Sequence, residues 1–347
     1  MGLAFGNESR DDYLGFELTH AALKLVTEVR PVRPGDQVLV TVDTAGDMRA
    51  ARATAAAVQA VGGVPTLVSY PTLPEPMSEP PRPLARAALG ADVWIDFAVA
   101  YQLYSPAYHA AVANGCIYVC LTGMDVDMMV RTIGRVPYAP MEEMARVLYR
   151  MSQAAATIRL TSPAGTDLRM SVDKRGDPFF EQEKHGGYAQ MLGGQTGPMA
   201  YRESFEGTLV FDGAIWPPAE IGILRSPVRL AIEGGHVSRV EGGAEAATYE
   251  RWLRGFGVAA AMLVDHACYG FNPGVRRPSG RILEDERIFG CMQLGIGATD
   301  LGSPIHSDGI VLGPSVWLDA EQIEDAGRYV HADLARLCRE MGVAGYG

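Results

Sequence analysis

Near the end of the chain, Pro304-Ile305-His306-Ser307-Asp308-Gly309-Ile310-Val311-Leu312 sets an imidazole and a carboxylate two residues apart, just ahead of an apolar run. The stretch reads as a turn followed by a strand. Residues two apart on a strand share a face, so His306 and Asp308 project together. Such a pair makes two metal ligands, or a base and the group that orients it. A second imidazole comes about forty residues earlier. Ala259 to Asp265 reads as an apolar strand that delivers His266 into a loop bounded by Gly270, Pro273 and Gly274. Two neutral imidazoles and one carboxylate suit non-haem Fe(II), with up to three coordination positions left for other ligands. The same three ligand types can also hold a hydrolytic Zn²⁺ with an activated water.

The elements that must position these residues fall into two kinds. Gln37–Val42, Pro65–Tyr70, Asp92–Phe97 and Cys116–Leu121 are short β-rich runs separated by helical stretches, including an Ala-rich one over 47–61 that ends at Gly62-Gly63. That alternation predicts an α/β domain, a parallel sheet with helices on both faces, over residues 1–155. The turn after the first strand, Asp43-Thr44-Ala45-Gly46-Asp47, lacks G-x-G-x-x-G and presents carboxylates where a pyrophosphate would sit. The pattern therefore implies a fold and not a nucleotide. From Thr157 the runs alternate as antiparallel strands do. Strands are expected at 207–211, 219–223 and 227–232, and a helix over 246–256. Residues 156–347 are thus predicted to form an α+β domain, mainly an antiparallel sheet, that carries the metal ligands. Residues 173–206 read as one long Gly-rich loop with scattered His185, Tyr188, Gln190, Gln195 and Tyr201, and a loop of that length is usually functional or mobile.

Composition narrows the partners. The chain of 347 residues has a net charge of −11, which argues against nucleic acid or an anionic membrane as the main partner. Its 48% hydrophobic content is that of a soluble globular protein. No apolar run reaches the ~18–20 residues of a membrane span. Five cysteines without C-x-x-C spacing fit reduced thiols in a cytoplasmic protein and argue against a structural zinc site or an iron–sulfur cluster.

The motifs D-H-A-C-Y-G-F-N-P, D-E-R-I-F-G-C-M-Q-L-G-I-G and I-H-S-D-G-I-V-L between residues 259 and 312 resemble the aminopeptidase T (M29) metallopeptidase superfamily. They look closest to its non-peptidase branch, the 2,5-dihydroxypyridine 5,6-dioxygenases. The departures from the peptidases are informative. His266 stands where the peptidases carry a metal-binding Glu, Gln293 where they carry a His, and Gly194-Gln195 where they carry a bridging Glu. Losing bridging carboxylates removes the charge that holds two cations together. The resemblance then implies a mononuclear site of His266, His306 and Asp308, the iron triad of the dioxygenase branch.

By the same resemblance, the activity implied is an extradiol-like, Fe(II)-dependent cleavage of a hydroxylated pyridine or related aromatic ring, with O₂ as co-substrate and Zn or Mn as alternative metals. An acid or base beside the metal is then required. The candidates are Tyr104 and Ser105 in the turn after the third strand, with His185, Gln195 and Gln293. The dioxygenases carry a similar polar-Ser-Pro turn, with His where this chain has Tyr104. The resemblance further implies a homo-oligomer, a dimer or larger. Two other readings are a mononuclear metallohydrolase acting on a small amide or peptide-like metabolite, and a metal-poor binding protein without activity.

Overall fold

The computed structural model describes residues 10–174 and 187–347. The chain divides into two compact units, one taking the described residues of 10–138 and 187–193, the other those of 139–174 and 194–347.

The first unit is built on five parallel strands: β1 (Gln37–Asp43), β2 (Val64–Tyr70), β3 (Val93–Asp96), β4 (Ile117–Cys120) and β5 (Ala189–Met191), in the spatial order β2-β1-β3-β4-β5. Every residue of β1 after Gln37 is buried, as is all of β3. Continuous burial along a strand means that both faces are covered, which is why these runs show no alternation. The helices Gly15–Lys24, Met48–Ala60, Arg82–Ala88 and Pro106–Ala113 belong to this unit. The α/β character expected of the N-terminal half is therefore present.

The division differs from the expected boundary at 155 in two ways. The helix Tyr138–Ala154 lies at the junction, and its buried stripe includes Met141, Met144, Leu148 and Ser152. The Ser152 hydroxyl lies 2.9 Å from that of Tyr269 in the second unit's core, so the helix belongs with the second unit. Strand β5 conversely returns from the segment expected to be a single loop. A three-residue strand has no periodicity to read, and an amphipathic helix does not declare which sheet its stripe will cover.

The second unit holds two antiparallel sheets. One has eight strands, in the order 236–242, 228–233, 206–211, 167–171, 157–161, 315–318, 321–325, 328–329. The other carries the ligand candidates. Its strands are β6 (Gln195–Thr196), β7 (Ala214–Trp216), β8 (Gly222–Ile223), β9 (Val264–Gly270), β10 (Cys291–Ile296) and β11 (Ser307–Leu312), in the order β8-β7-β11-β10-β9-β6. Here the structure corrects the expectation from sequence. Ala259–Met262 is a turn of 3₁₀ helix, and the strand begins at Val264 and runs to Gly270. His266 therefore sits inside a strand and not in the loop beyond one. The glycines and prolines that bound the run marked the end of the strand, and its start was hidden because Ala259–Leu263 is equally apolar. The run 219–223 reduces to Gly222–Ile223, and Ala214–Trp216 is an additional strand. Among the described residues no helix is long and apolar enough to cross a membrane.

Candidate metal centre

Three central strands assemble the site by register. His266 on β9 stands opposite Gly295 on β10, and Gly295 stands opposite Asp308 on β11. Adjacent strands lie about 4.8 Å apart, so His266 and Asp308 start roughly two strand spacings from each other. They converge because the residue between them has no side chain. His266 Nε2 comes within 3.8 Å of Asp308 Oδ1. His306 enters from the residue before β11, with its Nε2 3.1 Å from the same oxygen. The two imidazoles stack with centroids 5.0 Å apart and planes 22° apart. A Cβ at Gly295 would fall 2.6 Å from His306 Cε1 and 2.7 Å from His266 Cε1, so both rings rest on this glycine.

A bulge supplies a fourth member. Val264 pairs with Ile296 and His266 with Gly295, so Asp265 is the extra residue on β9. In a regular strand its side chain would point to the opposite face from that of His266. Here its Oδ2 lies 3.1 Å from His266 Nδ1 and 3.8 Å from His306 Nδ1. Arg202 closes on the other carboxylate oxygen, Nη2 to Oδ1 at 2.7 Å, and holds Asp300 at 2.9 Å through Nη1.

These contacts fix which edge of each ring is available to a cation. A carboxylate and a peptide carbonyl can only accept, so a ring nitrogen facing one carries the proton. His266 Nδ1 faces Asp265, and His306 Nδ1 lies 3.0 Å from the Gly297 carbonyl. One ligand atom each from Asp265, His266 and His306 also falls within 4.8 Å of the others. That grouping would have to break the bond to Gly297 and compete with Arg202 for the carboxylate. The Nε2 edges face Asp308 and carry no such commitments to backbone. The donor set there, two imidazole nitrogens and one carboxylate oxygen, fits a divalent transition metal.

Electrostatics set the protonation of that edge. Burial by itself would lower the His306 pKa, but the charge of Asp308, its hydrogen bond and the Gly297 carbonyl outweigh it and push the value up to about 10. Burial raises Asp308, and the two imidazoles more than compensate, so its carboxyl titrates below the usual range. In the metal-free protein His306 is accordingly an imidazolium that donates to Asp308. Burial and the charge of Asp308 also push Glu286 up to about 7, while Arg287 holds Glu286 at 2.9 Å.

Two carboxamides lean on the same atoms. Gln293, fully buried on β10, donates to Asp308 Oδ1 and places its amide nitrogen 3.1 Å from His266 Nε2. Gln195 on β6 donates to the Gln293 carbonyl oxygen at 3.1 Å. The structure thus brings together His266, His306, Asp308, Gln195 and Gln293. Tyr104 and Ser105 belong to the first unit. Tyr104 is about half exposed with a left-handed backbone (φ 66°) and packs edge-on to Tyr108. The Ser105 hydroxyl is buried and caps the helix Pro106–Ala113 by accepting from the Tyr108 amide at 3.1 Å. Tyr188 pairs with Arg30, Gln190 donates to the Val29 carbonyl, and the Tyr201 amide donates to the Ser171 carbonyl. His185 lies outside the described residues. Sequence reasoning missed Asp265, Arg202 and Gly295. A carboxylate adjoining His266 was a usable signal for the first, and a glycine inside an apolar strand for the third.

A family model described as NicX, 2,5-dihydroxypyridine 5,6-dioxygenase, matches residues 18–331. No curated protein sequence matches the chain. Among solved structures, the 2,5-dihydroxypyridine dioxygenase of Pseudomonas putida KT2440 superposes with a TM-score of 0.73 at 18% identity, covering 91% of this chain and 98% of that one. Wild-type AmpT of Thermus thermophilus superposes with a TM-score of 0.66 at 14% identity, covering 91% of this chain and all of its own. At these identities the two structures speak for the fold alone.

Proposed function

The chain belongs to the NicX family, the 2,5-dihydroxypyridine 5,6-dioxygenases, and from that premise we propose that it is a non-haem Fe(II) dioxygenase opening the ring of a hydroxylated pyridine or a related aromatic compound. The observation that supports this reading is that Asp308 Oδ1 lies 3.8 Å from His266 Nε2 and 3.1 Å from His306 Nε2, with both rings above Gly295. These three atoms are assigned as the metal ligands. A ferrous ion held by these residues would supply open coordination positions and the electron transfer that reaction with O₂ requires.

The protein's own contributions come from the geometry. Asp308 leaves a bound divalent ion with a net positive charge, which favours an anionic phenolate-type oxygen of the substrate. Before His306 can ligate it must release its Nε2 proton, so loading the metal is a proton-coupled event. Gln293 and Gln195 are neutral and hydrogen-bond to each other, and Gln293 also contacts His266 and Asp308. They add no charge that would retain a second cation beside the first, which weighs against a two-metal hydrolase. Their amide groups are of the right kind to orient a ring nitrogen or hydroxyl. Zn or Mn would fit the same donor set, and assembly into at least a dimer is part of the proposal.

The test is anaerobic purification, metal analysis and an oxygen-consumption screen against dihydroxypyridines and catechols with Fe(II) supplied. Oxygen uptake that requires Fe(II) and is lost in Asp308→Ala is expected. No uptake with any of these compounds would sink the dioxygenase reading, and amide hydrolysis under anaerobic conditions with Zn²⁺ would replace it.

A further inference from the structure

We infer that Asp265, clamped by Arg202, is a positioning residue that holds His266 in the Nδ1–H form and so keeps its Nε2 free for the metal. The inference rests on the assignment of His266, His306 and Asp308 as ligands and goes beyond it. Asp265 reaches the ring only because the bulge turns it onto the site face. Its two oxygens are divided between two tasks. Oδ2 faces His266 Nδ1 at 3.1 Å, and Oδ1 faces Arg202 Nη2 at 2.7 Å. Arg202 is itself held. Its Nη1 pairs with Asp300 at 2.9 Å and its Nε donates to the Asp265 carbonyl at 3.4 Å. The guanidinium can only donate, so it fixes which part of the Asp265 side chain can face it.

This division gives isosteric replacement an unusual consequence. In Asp265→Asn the side chain has one oxygen and one NH₂. Arg202 demands the oxygen, so the NH₂ is turned toward His266 Nδ1. An N–H donor there forces Nδ1 to accept, and the ring proton moves to Nε2, where it blocks the metal. Removing Arg202 as well lets the amide turn round and present its oxygen to Nδ1. A variant that merely loses packing would behave in the opposite way, since two lesions would be worse than one.

The experiment titrates Co(II) anaerobically into metal-free wild type, Asp265→Asn, Arg202→Met and the double variant, following heat and the visible spectrum, with thermal unfolding recorded for each. Loss of a partner that orients a ligand typically weakens metal binding by about 10–100-fold. Asp265→Asn is expected to fall in that range, and the double variant to regain most of the loss. Wild-type affinity in Asp265→Asn, or a double variant as weak as Asp265→Asn or weaker, overturns the inference. Should Asp265→Asn not fold, Asp265→Ser carries the test: it takes the carboxylate away from His266 Nδ1, Co(II) is expected to bind more weakly than to wild type, and unchanged binding overturns the inference. Co(II) uptake that is the same in Asp308→Ala as in wild type overturns the ligand assignment and this inference with it. Uptake that depends on Asp308 but not on Asp265 overturns this inference alone.

Discussion

Gly295→Ala asks whether the two imidazoles are positioned by the space above one glycine. Its Cβ would stand 2.6 Å from His306 Cε1, 2.7 Å from His266 Cε1 and 2.9 Å from His306 Nε2. Both ring carbons must retreat by roughly 0.7–0.8 Å to reach an ordinary contact of about 3.4 Å. His306 is tethered by the Gly297 carbonyl and His266 by Asp265, so the rings cannot retreat freely and the ligand atoms must separate. Overpacking of this kind costs about 1–3 kcal/mol of stability. A misplacement approaching 1 Å at a reacting centre costs on the order of 100-fold in rate. Gly295 has no left-handed backbone, so the substitution tests sterics and not conformation. Anaerobic metal titration, oxygen uptake and thermal unfolding should show a loss of metal affinity of at least about tenfold, a loss of rate of about 100-fold, and a fold that still melts cooperatively. Metal affinity and turnover within about twofold of wild type would refute the claim that the rings rest on this residue.

Three further outcomes are expected. In metal-free protein the folded-state pKa of His306, about 10, lies above its ordinary 6.5, so its pairing with Asp308 stabilises the fold fully below about pH 6.5 and is lost as pH rises through 10. The stability difference between wild type and His306→Gln in urea should shrink across that window, and Co(II) affinity should rise with it by up to about tenfold per pH unit. The Ser307 hydroxyl lies 2.6 Å from the Pro217 carbonyl and 3.1 Å from the Tyr249 hydroxyl, away from the ligand atoms, so Tyr249→Phe should cost about 0.5–1.5 kcal/mol in denaturant while oxygen uptake changes little. Glu324 is fully buried, no hydrogen-bond partner among the described residues reaches its carboxyl oxygens, and burial raises its pKa well above 4.5. Its protonated form is the one the fold accommodates, so stability is lost as pH rises above about 4.5, and Glu324→Gln should gain on wild type as pH rises past that point in urea unfolding.

How much of this was legible in the sequence depended on the range of the interaction. The parallel strands announced themselves because burial on both faces demands near-continuous apolar runs such as Val38–Val42, interrupted only by Thr41. The His306–Asp308 pair was legible because strand alternation is a local rule. The two carboxamides were placed by resemblance, and the structure shows what they touch. Asp265 was not legible as a site residue, because a bulge depends on how Val264 and His266 pair with β10 and not on their own neighbours. Arg202 lies in a segment without periodicity, and its partners Asp265 and Asp300 are distant in sequence. Gly295 carried a signal, a glycine within Met292–Ile296, but its meaning required knowing which residues stand opposite it. The helix Tyr138–Ala154 shows the same limit at larger scale, since its stripe fits either sheet until Ser152 is seen beside Tyr269.

The triad proposed here, His266, His306 and Asp308, is expected to direct oxygen chemistry and not hydrolysis. The most direct measurement is the fate of isotopically labelled dioxygen during turnover of 2,5-dihydroxypyridine by the Fe(II)-loaded protein, read by mass spectrometry of the product. Both atoms of one labelled dioxygen molecule are expected in the ring-opened acid, with Asp308→Ala giving no labelled product. Product that carries oxygen from labelled water only, or labelled product that survives in Asp308→Ala, would contradict the claim.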